Sequence, residues 1–175
     1  LARARALSTP PYMDLRLDLS RTRPEAVRQR LLTDHPGIEL RTVEGQPQCL
    51  RTRGGGDLFY GPVYGEGLIS VQALGSQQAV LTLAPKPGER VLDACAGLGG
   101  KTVHIAESMQ RQGELVAVDP DPRRLAELDG QRERAGLDAD TLSLEVHCSD
   151  LQSLDASRLG QFDAVLVDAP CTGLG

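Results

Sequence analysis

The stretch Arg90-Val91-Leu92-Asp93-Ala94-Cys95-Ala96-Gly97-Leu98-Gly99-Gly100-Lys101-Thr102 decides the fold of this 175-residue chain. A short apolar run ends in an acid, and a loop with three glycines in four positions follows it. Such a run predicts a buried strand that passes through a tight loop into a helix. Because glycine lets the backbone approach a ligand closely, we predict a ligand-binding loop at the carboxyl end of a strand.

The pattern repeats downstream of this loop as an alternation of strands and helices. Strands are predicted at residues 90–93, 114–119, 144–148 and 162–168, with helices at 101–110 and 122–135. Connections of this length require right-handed crossovers between parallel strands. We therefore predict an α/β, Rossmann-like domain with four parallel strands in the order 3-2-1-4 and helices on both faces.

The residues upstream of this domain differ from it in pattern and in charge. Residues 1–56 are predicted as a small α+β module with strand, helix, strand and strand, and residues 57–84 as a connecting segment with a helix. Residues 1–53 contain ten arginines and six acids, whereas the remainder contains nine basic and eighteen acidic residues. An arginine-rich module of this kind contacts phosphates or is an ordinary solvated surface, and charge alone leaves both open.

Three ligands compete for the glycine loop. A nucleoside triphosphate needs an earlier glycine where Cys95 stands, and a dinucleotide needs a third glycine where Thr102 stands. The loop also matches the acid-x-Gly-x-Gly-x-Gly pattern of S-adenosylmethionine sites, apart from Cys95 in place of the first glycine. This third interpretation is the one that the later strands favour.

Each later strand delivers a carboxylate to the same edge of the predicted sheet. Asp119 is placed to accept hydrogen bonds from the ribose hydroxyls, Asp150 from the adenine amino group, and Asp168 follows the fourth strand. Four carboxylates in register, counting Asp93, suit a cationic sulfonium and repel a polyphosphate. We therefore predict S-adenosylmethionine as the cofactor.

Composition excludes several other classes of protein. No apolar run approaches the roughly 18 residues of a membrane span, and no signal peptide precedes the first strand. The four cysteines form no Cys-x-x-Cys pair and the three histidines are scattered, so no metal site is predicted. We expect a cytoplasmic protein with reduced thiols, and the absence of an initiator Met suggests a chain cut from something longer.

The loop after the fourth strand reads Asp168-Ala169-Pro170-Cys171-Thr172-Gly173 and suggests thiol chemistry. Carbon 5 of cytosine accepts a methyl group only after a thiolate has attacked carbon 6, and a base must later remove the carbon 5 proton. The alternative to thiol chemistry is that Cys171 is a small loop residue that only fills space.

The chain resembles the Nol/Nop/Sun family of RNA cytosine-5 methyltransferases, particularly its bacterial Sun-type ribosomal RNA enzymes. The resemblance runs from about Pro10 to the C-terminus and depends mainly on residues 91–102 and 168–173, with support from Asp119 and Arg124. The family loop usually has Ala-Pro where this chain has Gly97-Leu98, and an acid where it has Ala73. The first of these departures loosens the turn and is expected to change cofactor affinity.

The resemblance implies roles for individual residues. The implied cofactor site comprises Cys95, Ala96, Gly97, Leu98, Gly99, Gly100, Lys101, Asp119, Arg124, Asp150 and Asp168. The implied catalytic residues are Cys171, which helps release the product, and Asp168, which also contacts the cytosine. The family's nucleophile is a second cysteine in a Thr-Cys-Ser motif, which these 175 residues do not contain.

Ribosomal RNA is the expected substrate, and transfer RNA remains an alternative. A second alternative is a catalytically incomplete fragment that binds cofactor and RNA. If the fourth strand forms an exposed edge, association of two chains through it is a further expectation.

Overall fold

The computed structural model describes residues 11–137, 142–155 and 159–169. The chain divides into two compact units, Leu1–Leu74 and Gly75–Gly175, which are described here one at a time. Within the described residues, none of the helices has the length and apolar character needed to cross a membrane.

The first unit is a four-stranded antiparallel sheet with two helices. Its elements are β1 (Met13–Leu17), α1 (Pro24–Asp34), β2 (Glu39–Val43), β3 (Gln46–Arg53), a 3-10 turn (Leu58–Tyr60), α2 (Pro62–Gly65) and β4 (Ile69–Val71). The strand order is β2-β3-β1-β4, and all three pairings are antiparallel. This is the arrangement of a split β-α-β unit, in which the central strands are β3 and β1.

The two faces of this sheet differ because side chains alternate along each strand. One face carries Leu15, Leu17 and Leu50, which form a buried core with Val27 and Leu31 of α1. The opposite face carries mostly charged and polar side chains. A single hydrophobic core therefore lies between the sheet and its helices, and the polar face lies away from them.

The predicted strand-helix-strand-strand order of residues 10–53 matches β1, α1, β2 and β3, but the following segment differs from the expected irregular connection. Residues 57–74 contain the 3-10 turn, α2 and β4, and β4 pairs with β1. The first unit consequently extends to Leu74, beyond the predicted boundary at residue 56. With only three residues, β4 has too little alternation to stand out in sequence.

The second unit has the predicted parallel sheet. Its elements are α3 (Leu74–Leu83), β5 (Arg90–Asp93), α4 (Gly100–Ser108), β6 (Gly113–Asp119), α5 (Pro122–Arg134), β7 (Leu142–Cys148), a 3-10 turn (Leu151–Ser153) and β8 (Ala164–Leu166). The strand order is β7-β6-β5-β8 and every pairing is parallel, which confirms the predicted order 3-2-1-4.

The strand β8 is shorter than the predicted 162–168, because its described neighbour β5 turns away after Asp93. It is the edge strand of the described sheet, and Val165 and Val167 are 47% and 58% exposed. Leu166 points inward and is buried.

Because connections between parallel strands are right-handed, the strand order determines on which face of the sheet each connection passes. The steps from β5 to β6 to β7 run in one direction, and Val91, Leu115 and Val103 of α4 share a core on that face. Residues Leu92, Val116 and Leu159 share a core on the other face, where the connection from β7 to β8 passes. The described part of that connection contains the 3-10 turn and Leu159, so the expectation of a helix on this face lies largely outside the described residues.

Candidate cofactor site

The connection that follows β5 and the connection that leads into β8 pass on opposite faces of the sheet, and this opens a crevice between the carboxyl ends of the two strands. Ligands of open parallel sheets bind at such a switch point. Asp93 ends β5, and Asp168 lies two residues beyond β8. The glycine loop after β5 therefore begins inside the crevice, as the sequence predicted.

Backbone hydrogen bonds attach the loop to both neighbouring strands. The N–H of Ala94 donates to the carbonyl of Leu166 at 2.9 Å, and the N–H of Ala96 donates to the carbonyl of Val118 at 2.9 Å. The next N–H, that of Gly97, donates to Oδ2 of Asp119 at 2.9 Å. The loop is thus held in one conformation by contacts with β8 and β6.

Two glycines of the loop adopt left-handed backbone conformations for different reasons. Gly99 has φ +86° and immediately precedes α4, and a Cβ there would lie 2.9 Å from Cγ of Leu128. Gly97 has φ +55°, but a Cβ there would meet nothing within 4 Å. Gly99 therefore permits helix packing against α5, whereas Gly97 and Gly100 border open space.

A buried carboxylate lies beneath the loop. Asp93 is fully buried, and its Oδ2 accepts a hydrogen bond from Oγ1 of Thr102 at 2.7 Å. Its Oδ1 is also buried and makes no hydrogen bond of ordinary geometry with the described residues. Burial raises the pKa of Asp93, while Thr102 and the nearby backbone N–H of Cys95 act in the opposite direction.

Asp93 and Thr102 were not among the predicted site residues. The strand-end acid was recognised as part of the loop pattern, but its pairing with Thr102 depends on the three-dimensional turn between them. The available signal was the position of Thr102 in the first turn of α4, on the side that faces β5.

The raised pKa of Asp93 leads to a prediction about stability. A folded-state pKa above the unfolded value contributes stability at low pH that is lost as pH rises through the folded-state pKa. Asp93→Asn should therefore gain in unfolding free energy relative to the wild type as pH rises from about 4, the ordinary pKa of an aspartate, towards neutrality. Urea denaturation of both proteins across this range measures the difference, and a difference that does not change with pH would refute the assignment.

The thiol of Cys95 is surrounded by acids. Burial raises its pKa, and the carboxylates of Asp93, Asp119 and Asp168 raise it further. A thiol with a raised pKa stays protonated at neutral pH and is a poor nucleophile. The raised pKa therefore disfavours the thiolate form of Cys95, and a place for this residue in the cofactor loop stays a prediction.

Lys101 and Asp168 form an ion pair through Nζ and Oδ2. The lysine side chain is 19% exposed and the aspartate 53%, so the carboxylate remains accessible to a ligand. The ion pair thus joins Lys101, in the first turn of α4, with Asp168, two residues beyond β8, across the crevice. The pair fixes the orientation of a carboxylate at the switch point.

The remaining predicted residues lie around the loop in different ways. Asp119 is 4% exposed, and its Oδ1 accepts from the N–H of Asp121 at 2.9 Å. Asp150 is exposed, and its Oδ1 accepts from the N–H of Gln152 at 2.8 Å, which caps the 3-10 turn. Arg124 is half exposed, with Nε 4.0 Å from Oδ2 of Asp121.

Two further residues of the predicted site lie in the loop itself and at the start of the following helix. Leu98 is 58% exposed at the tip of the loop, and Gly100 is the first residue of α4. Cys171 lies outside the described residues. Among the described residues, no group of three or more His, Cys, Asp or Glu side chains is arranged to hold a metal ion.

Comparison with known proteins identifies several relatives of this chain. The bacterial relatives include the ribosomal RNA small subunit methyltransferase B of Vibrio cholerae, 40% identical over 68% of this chain and 26% of that protein. A nematode relative is the 26S rRNA (cytosine-C(5))-methyltransferase nsun-1 of Caenorhabditis elegans, 39% identical over 65% of this chain and 17% of that protein. The chain thus spans about a quarter or less of the length of these two proteins.

The fold as a whole has solved counterparts. A methyltransferase homologue from Pyrococcus horikoshii superimposes with a TM-score of 0.80 and 29% identity over 97% of this chain and 54% of that protein. The family model described as 16S rRNA methyltransferase RsmB/F matches residues 80–175, which is more than half of the chain. The chain belongs to the 16S rRNA methyltransferase RsmB/F family.

Proposed function

We propose that this chain is the cofactor-binding part of an S-adenosylmethionine-dependent methyltransferase that modifies carbon 5 of cytosine in ribosomal RNA. The observation that carries the proposal is the glycine loop, which hydrogen bonds hold between β6 and β8 around open space at the switch point. Family membership supports the reaction, and the names of the bacterial and nematode relatives support ribosomal RNA over transfer RNA.

The residues present fit this cofactor. Oδ1 of Asp93 is a buried carboxylate oxygen beneath the loop with an unused lone pair. It would accept a hydrogen bond from the ammonium group in the amino-acid moiety of the cofactor. A Cβ at Gly97 or Gly100 would meet nothing within 4 Å, so the loop leaves room beside its backbone. The acidic surroundings favour a sulfonium, which is cationic.

The bound cofactor would supply an electrophilic methyl group, and the chain's residues would position it. Gly97, Leu98 and Gly99 would lie along it, with the carboxylate of Asp119 on the ribose hydroxyls. Asp119 already accepts one N–H on each oxygen, and each oxygen has a second lone pair for a hydroxyl. Asp150 would accept from the adenine amino group, and Arg124 would flank the site.

The RNA base would lie on the β8 side of the crevice. Asp168, held by Lys101, presents a carboxylate there that would contact the cytosine ring. Cys171 follows it by three residues and would assist removal of the carbon 5 proton. The nucleophile would come from a cysteine outside these 175 residues. We place the reaction in the cytoplasm, where bacterial ribosomal RNA is modified.

Loss of the Asp119 carboxylate tests the cofactor site. Asp119→Ala removes the acceptor that orients Gly97 and the proposed partner of the ribose hydroxyls, so affinity for S-adenosylhomocysteine should fall by about 1–3 kcal/mol. Isothermal titration calorimetry of the chain measures this. Asp121→Ala is the matched control, because it removes a neighbouring carboxylate that caps α5 without touching the loop.

Asp121→Ala should lower the thermal stability of α5 and leave cofactor affinity within about twofold of the wild type. Equal affinities of the wild type and Asp119→Ala would remove Asp119 from the site. Failure of the wild-type chain to bind either S-adenosylmethionine or S-adenosylhomocysteine would defeat the proposed function of the chain.

A further inference from the structure

We propose that the polar face of the first sheet binds the phosphate backbone of the RNA substrate, with Arg41 as its central contact. This inference rests on the proposed function for the identity of the nucleic acid. The surface is called the arginine face and consists of Tyr12, Glu39, Arg41, Arg51 and Arg53, on the side of the sheet opposite to the helices.

Strand register places three arginines side by side on this face. Arg41 of β2 lies directly opposite Arg51 of β3, and Arg53 lies two residues further along β3, opposite Glu39. Like charges directly opposite each other destabilise a sheet. Arg41 and Arg51 are exposed and Arg53 is half-buried, so three neighbouring guanidinium groups lie at the β2–β3 end of this face, which points to an anionic partner.

Two of the three arginines are neutralised within the sheet. Arg51 pairs with Asp14 at 2.8 Å, and Arg53 pairs with Glu39 at 2.7 Å. Arg41 is exposed and forms no ion pair with the described residues. The three arginines thus share the two carboxylates of Glu39 and Asp14, which leaves one positive charge in excess.

The ring of Tyr12 holds two of these guanidinium groups in place. The guanidinium carbons of Arg41 and Arg53 lie 4.5 Å and 4.6 Å from the centre of the ring. The hydroxyl of Tyr12 donates to Oε2 of Glu39 at 2.9 Å, so the ring itself is fixed. A guanidinium stacked by its flat side keeps its N–H donors at the rim, where a planar fork matches phosphate oxygens.

The distribution of charge favours phosphate as the ligand. Residues 1–74 contain ten arginines, no lysine and eight acids, whereas residues 75–175 contain nine basic and sixteen acidic residues. The carboxylates at the cofactor edge repel phosphates, so an RNA chain needs a separate cationic surface. Since the Tyr12 ring is covered by guanidinium groups, this surface would read backbone charge rather than base identity.

Fluorescence anisotropy of a labelled single-stranded oligoribonucleotide, titrated with the intact chain at several salt concentrations, tests the proposal. Arg41→Gln should weaken binding about three- to tenfold and reduce the slope of log affinity against log salt by about 0.7, the value for one phosphate contact on a single strand. Arg30→Gln is the matched control, because Arg30 lies on α1 and is paired with Glu66 at 2.7 Å. The control should change affinity by less than about twofold.

The variant should fold, because removing Arg41 relieves its repulsion with Arg51. A second variant, Arg41→Gln with Arg51→Gln and Arg53→Gln, should reduce the salt slope further. Wild-type affinity and slope in both variants would overturn the proposal. Tighter binding of polyglutamate than of RNA, lost in Arg41→Gln, would overturn it in favour of an acidic protein partner.

Calorimetry with S-adenosylhomocysteine separates this proposal from the proposed function. Cofactor affinity should be the same in the wild type and in every arginine variant, because none of the substituted residues belongs to the cofactor site. Normal cofactor binding together with RNA binding that is insensitive to Arg41 would remove the arginine face alone. Loss of cofactor binding in the wild type would instead remove the proposed function.

Discussion

Gly99→Ala is expected to lower the unfolding free energy of the chain by about 2–4 kcal/mol, from left-handed backbone strain and overpacking together. Gly99 has φ +86°, and a Cβ there would lie 2.9 Å from Cγ and 3.0 Å from Cα of Leu128. The backbone of α5 cannot yield without moving the core that contains Leu125 and Ala117. The glycine loop would shift as a consequence, and cofactor binding should be lost.

Two neighbouring glycines supply the controls for this variant. Gly100→Ala introduces a Cβ into open space at the start of a helix, without a positive φ, and should keep or raise stability by up to about 1 kcal/mol. Gly97→Ala has the backbone strain without the clash and should be intermediate. Urea denaturation and calorimetry measure all three, and equal stability of Gly99→Ala and Gly100→Ala would contradict the packing argument.

The parallel sheet was predictable because its sequence signals are long and mutually consistent. Strands such as Gly113–Asp119 are apolar and bounded by glycine, acid and proline, and the crossover rule then limits the possible topologies. The positions of Asp93, Asp119 and Asp168 at one edge follow from the same rule, since parallel strands end together. The glycine loop was recognisable without tertiary information because its positive φ values are a local demand, although the packing of Gly99 against Leu128 of α5 was not.

The first unit was only partly predictable. β4 has three residues and is specified by its pairing with β1, where Leu15 opposes Val71 and Leu17 opposes Ile69. Pairing across more than fifty residues of chain leaves no local trace. The same holds for the hydrogen bond of Arg16 with Gln72 at 2.7 Å, which buries a charged side chain in this sheet.

Side-chain contacts of the site were the least predictable part. Sequence placed Asp119 near a ribose, but its hydrogen bonds with Gly97 and Asp121 depend on the exact path of the loop. The stack of Arg41 and Arg53 on Tyr12 joins three different segments, and only the register between β1, β2 and β3 brings them together. Charge counting indicated an arginine-rich module without showing which arginines act together.

The cofactor edge and the arginine face each contain charged groups in an arrangement that is unfavourable by itself. Asp93 is buried with a raised pKa, which reduces stability at neutral pH, and Arg41 and Arg51 are like charges on directly opposite residues of β2 and β3. Natural proteins retain such costs mainly at functional positions. The two features lie in different units, and one suits a cation whereas the other suits an anion, which is the division of tasks that a sulfonium cofactor and a nucleic acid require.

Cys171→Ser in the full-length protein is expected to reduce turnover by about 10²- to 10⁴-fold, the usual contribution of a positioned acid or base. Under the proposed function, the nucleophilic cysteine lies outside these 175 residues and still attacks carbon 6, whereas release of the product requires the Cys171 thiol. A covalent protein–RNA species should therefore accumulate on a denaturing gel with labelled ribosomal RNA. Cys148→Ser is the control, since Cys148 is an exposed thiol at the end of β7 and should leave turnover unchanged. Absence of the adduct in Cys171→Ser, together with its appearance when the other cysteine is replaced, would assign the nucleophile to Cys171.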